Sequence, residues 1–138
     1  MKILRWFILF VGLSFVLSAC SGNAPAKAAR EWLTALNTGD GVTALKLTCR
    51  QYQEEVQNTS LLTAGIGMLG SMAGVDAQSA EVDLSDVKFE TVSKNGDTAV
   101  VQVKGEMIVG LMGAAIPQQI NMSFTMVKED GDWKWCGQ

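Results

Sequence analysis

Apolar residues recur at helical spacing in the N-terminal half of the chain and at every second position in the C-terminal half. The chain therefore divides into a helical part and a strand part. Ala29, Trp32, Leu33 and Leu36 fall at i, i+3, i+4 and i+7, one stripe of an amphipathic helix. Pro25 suits its first turn, where a missing N–H costs nothing. Gly39 can supply a left-handed stop, and Asp40 can cap the next helix. On that second helix Leu45, Cys49, Tyr52 and Val56 share a face, which turns Cys49 inward. From Val56 to Val75 no residue is charged, and Leu61, Leu62, Ile66, Met68, Leu69, Met72 and Val75 are interleaved with Gly65, Gly67, Gly70 and Gly74. Each glycine weakens a helix by about 1 kcal/mol relative to alanine. The segment from Leu61 to Val75 is nevertheless expected to be helical.

After Glu81 the period becomes two. Val82 and Leu84 alternate, then Val87, Phe89 and Thr91 alternate in the other phase, and the slip at Ser85-Asp86 predicts a bulge or bend. Asn95-Gly96 marks a tight hairpin. The returning strand sets Ala99, Val101, Val103, Gly105, Met107 and Val109 on one face and Gln102, Lys104 and Glu106 on the other. A connection is expected over residues 110–117. Beyond it Ile120, Met122, Phe124 and Met126 alternate with Asn121, Ser123 and Thr125, and Asp130-Gly131 turns the chain into Trp133-Lys134-Trp135-Cys136. The expected fold is α+β, N-terminal helices packed on a curved antiparallel sheet of about four strands.

The first twenty residues have a different grammar. Lys2 and Arg5 precede an uncharged run from Trp6 to Val16, followed by Leu17-Ser18-Ala19-Cys20. The run is too short to span a bilayer, which takes roughly 20 apolar residues, and it ends in small residues as a cleavage region does. The tetrapeptide resembles the bacterial lipobox, whose Cys becomes a lipidated first residue. Three parts are expected: a signal peptide over 1–19 that is removed, a lipidated Cys20 with a tether over 20–25, and a domain over 26–138. Loss of 1–19 removes Lys2 and Arg5 and no acid, so the net charge passes from −3 to −5. Such a domain is held at a membrane by lipid and not by charge. In a cell with two membranes, Ser21 after the Cys resembles the default signal for the outer membrane, facing the periplasm.

Composition then narrows the chemistry. The 138 residues include no histidine, which removes the commonest metal ligand and general base. The acidic balance argues against nucleic acid, because phosphate binding needs a basic surface. Two thiolates without histidine make no zinc site, and Gly65, Gly67 and Gly70 lack the Lys-Ser or Lys-Thr of a phosphate loop, so no metal or cofactor is expected. Trp133 and Trp135 at i and i+2, and Met107, Met122 and Met126, read as core before they read as a ligand lining. Once Cys20 is lipidated, Cys49 and Cys136 remain in an exported chain, and an even remainder favours a disulfide. Strand alternation opposes it, since it puts Cys136 on the face opposite Trp133 and Trp135.

Three stretches carry a family likeness: Ala28-Ala29-Arg30-Glu31-Trp32-Leu33-Thr34-Ala35-Leu36 with Gly39-Asp40, then Asn95-Gly96-Asp97-Thr98-Ala99-Val100-Val101-Gln102-Val103, then Lys128-Glu129-Asp130-Gly131-Asp132-Trp133-Lys134. Their order resembles the nuclear-transport-factor-2-like superfamily, and more closely its small bacterial lipoproteins of unknown function. The resemblance implies a cone-shaped, cystatin-like roll. Superfamily enzymes place carboxylates and tyrosines in the mouth of the cone; here Tyr52 and Asp86 would be the pair, and they count as catalytic only if both reach one cavity. The favoured expectation is a non-enzymatic binding domain for a hydrophobic ligand or an envelope partner protein, the alternative a small hydrolase or isomerase. The proposed surface is built from two uncharged, glycine-rich stretches, with Ile66, Met68, Leu69 and Met72 from the first and Ile108, Leu111, Met112 and Ile116 from the second.

Overall fold

A computed structural model describes residues 23–59, 82–111 and 114–138. Cys20, the helix expected over 61–75 with Ile66, Met68, Leu69 and Met72, the side chain of Leu111, and Met112 lie outside the described residues. Helix α1 spans Ala24–Asn37 with Pro25 in its first turn. Gly39 leaves it with a φ of +74°. The carboxylate of Asp40 accepts from the Thr43 N–H at 3.0 Å and so caps helix α2, Gly41–Lys46. Hydrogen bonds from Thr43 hold the Asp40 carboxyl below its ordinary pKa. Within α1 the buried face is Ala28, Ala29, Trp32 and Ala35. Leu33 and Leu36 of the expected stripe are half-buried at its margin, because the small alanines let the helix sit close to the sheet.

The second helix is not continuous through Cys49, as its spacing had implied. It stops at Lys46. A short link over Leu47–Cys49 follows, then a single 3-10 turn at Arg50–Tyr52 and a helical stretch, α3, at residues 53–59. The break frees backbone groups that a helix would have consumed. Trp135 N–H donates to the Leu47 carbonyl at 2.7 Å, and Cys49 N–H donates to the Trp135 carbonyl at 2.8 Å. The link thereby runs parallel to the last strand.

The sheet contains β1 Val82–Asp83, β2 Val87–Asn95, β3 Thr98–Leu111, β4 Ala114–Glu129 and β5 Asp132–Trp135. All pairings are antiparallel. One edge of β3 carries β2 and then β1, and its other edge carries β4, which carries β5. The expected slip is a turn at Ser85-Asp86, in which the Asp83 carboxylate accepts from Ser85 N–H at 2.8 Å. At this turn Gly105 of β3 passes so close that a β-carbon would overlap the Asp86 carbonyl oxygen, and its φ is +140°. Only glycine fits there. The sheet curls around α1, which packs across β2, β3, β4 and β5. The fold is α+β, as the alternation predicts.

Residues 110–117 form no connection. β3 and β4 pair without interruption to Leu111 opposite Ala114, so Ile108 and Ile116 are strand residues, and only positions 112 and 113 separate the strands. A continuous apolar run with β-branched members suits a strand better than a surface loop.

Candidate aromatic cleft

Trp32 on α1 and Trp135 on β5 are the centre of the helix-to-sheet packing. Their rings stack with centroids 4.2 Å apart and planes within 10° of parallel. Phe124 meets Trp32 edge-on at 5.4 Å, and Tyr52 leans on Trp135 at 5.3 Å and 62°. Trp32 Nε1–H donates to Thr48 Oγ1 at 2.9 Å, and that hydroxyl donates in turn to the Ala44 carbonyl at 2.7 Å. Both tryptophans are therefore core residues, 5% and 7% exposed. Trp135 Nε1 is buried without an acceptor.

Cys49 and Cys136 are joined as a disulfide, their Cα atoms 5.3 Å apart. The conflict with strand alternation is resolved by where the strand stops. β5 ends at Trp135, so Cys136 no longer obeys the alternation. Its N–H donates to the Thr125 carbonyl at 2.8 Å, which holds it beside the link that carries Cys49. The bridge and the backbone bonds around it fix Tyr52, three residues after Cys49, against the exit of β5.

The outcome is a cleft of about 450 Å³ between α1, residues 52–59 and the chain after β5. Trp32, Tyr52, Trp135 and Val56 form its apolar part, and Glu55 and Gln138 its polar part. Gly137 has a φ of +103°, and a β-carbon on it would come within 3.1 Å of the Tyr52 hydroxyl. A side chain there would push against the ring that lines the cleft. Asp86 does not belong to this cleft; it is exposed in the turn before β2, so Tyr52 and Asp86 do not form the pair considered for catalysis. Among the described residues no group of His, Cys, Asp and Glu is placed to hold a metal ion.

Of the expected apolar surface, Ile108 is half-buried and Ile116 is 43% exposed on the far part of the β3–β4 hairpin. The cleft lies elsewhere, and three of its members carry little sign of it in the sequence. Trp32 reads as one position of a helical stripe. Glu55 stands three residues after Tyr52, a spacing that puts both on one helical face. Gly137 has no signal beyond its place after a cysteine.

Residues 18–136 match the model of a domain of unknown function, DUF4878. The chain belongs to the DUF4878 family. No curated protein matches it. The domain is similar to the crystal structure of a "putative NTF2-like transpeptidase" from Campylobacter jejuni, at 18% sequence identity and a TM-score of 0.47. That similarity covers 83% of this chain and 98% of the other.

Proposed function

We propose that this DUF4878 chain is a lipid-anchored, non-enzymatic domain of the cell envelope that binds a small apolar ligand in the aromatic cleft. The observation that carries the reading is the cleft lined by Trp32, Tyr52 and Trp135 beside an exposed carboxylate. Its volume of about 450 Å³ suits a small molecule, and its wall joins apolar side chains to a few polar ones, Glu55, Thr59 and Gln138. General acid–base work calls for a carboxyl withdrawn from water, whereas Glu55 is exposed. The anchor rests on the order of basic, apolar and small residues before Cys20, and the lipoprotein likeness rests on the three sequence stretches at both ends of the domain. α1 begins at Ala24, so a tether of a few residues would hold the domain close to the membrane.

Two measurements test this. A fatty-acid analogue should label the wild type, and Cys20→Ala should accumulate as an unlabelled precursor; a wild type without label removes the anchor. For the cleft, the indole N–H resonances of Trp32 and Trp135 should shift saturably when 1-naphthalenemethanol is titrated into the mature chain, and Tyr52→Ala should weaken the response. No saturable shift in the wild type removes the ligand reading.

A further inference from the structure

We propose that the cleft selects a ligand bearing a positive charge next to its apolar group, with Glu55 as the counter-charge. This deepens the ligand reading above and rests on it. Among the described lining residues Glu55 has the one acidic side chain, and neither lysine nor arginine is among them. Arg50, at the start of the same segment, is turned to Asp130, with Nη2 and Oδ2 2.9 Å apart. The apolar side of the wall, with Leu36, the half-buried Tyr52 ring and the edges of the stacked Trp32 and Trp135, takes the apolar group and leaves the charged end to Glu55. Glu55 is exposed at the cleft edge, so it meets a ligand's charged end without having to be desolvated first. The acidic balance of the chain adds to the same preference at longer range, since 14 acidic residues face 11 basic ones.

The test is a matched series on one ring: (1-naphthylmethyl)trimethylammonium, 1-naphthalenemethanol and 1-naphthalenesulfonate, each titrated against the two indole N–H resonances. The cation should bind about fivefold tighter than the alcohol, the size of an exposed ion pair, and the sulfonate weakest. Glu55→Gln exchanges the carboxylate for an amide of the same shape at an exposed position, and it should bring the affinity for the cation close to that for the alcohol. Equal binding of all three probes, or a preference for the sulfonate, overturns cation selection and leaves the cleft reading standing. A cation preference that survives Glu55→Gln overturns the role of Glu55. No binding of any probe overturns both readings together.

Discussion

The β3–β4 hairpin has two halves in one continuous register and different surroundings. From Thr98 to Val103, β3 lays Ala99, Val101 and Val103 beside Met126, Phe124 and Met122, under α1, and all but Met122 are buried. Past Gly105 the same strands set Met107 and Val109 opposite Gln118 and Ile116; the β3 side is half-buried and residues 114–119 are exposed. Alternation says which residues share a face of a sheet. It does not say whether another layer covers that face. The first half is also closed at its end by a dense set of bonds: the disulfide, the Leu47–Trp135–Cys49 backbone exchange and the Trp32–Thr48–Ala44 relay.

The largest effect is expected from breaking that closure. Cys49 and Cys136 are 87 positions apart, and a loop of that size is worth about 4–5 kcal/mol on the chain-entropy model. The backbone bonds at Cys49 and Cys136 remain after reduction, so the reduced protein should still fold but unfold at much lower urea. Equal urea midpoints with and without reductant would show that the covalent bond adds nothing to the closed end.

Next is the boundary between the halves. Gly105→Ala forces a β-carbon onto the Asp86 carbonyl and places alanine at a φ of +140°. A loss of roughly 2–4 kcal/mol is expected, strain and steric displacement together. Thermal unfolding measures it, and a change below a few tenths would mean that the turn before β2 gives way freely.

A smaller loss is expected within the closed end. Thr48→Val keeps the shape and deletes the hydroxyl that accepts from Trp32 Nε1–H and donates to the Ala44 carbonyl. A buried indole donor left unpaired costs about 1–3 kcal/mol. Urea unfolding reports the total, and a shift in the Trp32 indole N–H resonance shows that this hydrogen bond is the one lost.

Much of this architecture is legible in the residues. The caps at Pro25, Gly39 and Asp40, the Asn95-Gly96 and Asp130-Gly131 hairpins, and the alternation over 99–103 and 122–126 each declare themselves through local chemistry, and each occurs where that chemistry places it. The break at Leu47–Cys49 does not. Its cause is a pairing with Trp135, which no local pattern near Thr48 announces. The same is true of the cleft, which is assembled from residues 32, 52, 55, 135 and 137. Long-range apposition of this kind is invisible to a period of two or of 3.6. The glycines near Leu111 favoured a loop over a strand for a different reason: residues 107–117 lack the alternating polar face that usually identifies a strand.

The smallest effect should come from the lightly covered half, and it is the measurement that most sharpens the contrast. Ile116 is a large apolar residue on β4, paired with Val109 and 43% exposed, with Ala115 and Pro117 exposed on either side. In the covered half a lysine at Val101 or Phe124 would bury an unpaired ammonium, a change that costs several kcal/mol. Ile116→Lys differs, because a flexible stem can lie along the strand while its ammonium reaches water. The expected change in stability is within about 0.5 kcal/mol, the range of ordinary surface substitutions. The melting temperature should therefore stay nearly constant. If Ile116 instead belongs to a contact surface for an envelope partner, the same variant should lose that partner in crosslinking from intact cells while remaining folded. A large fall in melting temperature would mean that the tip of the hairpin is covered after all, and that its burial, not its exposure, is what the apolar run from Met107 to Pro117 encodes.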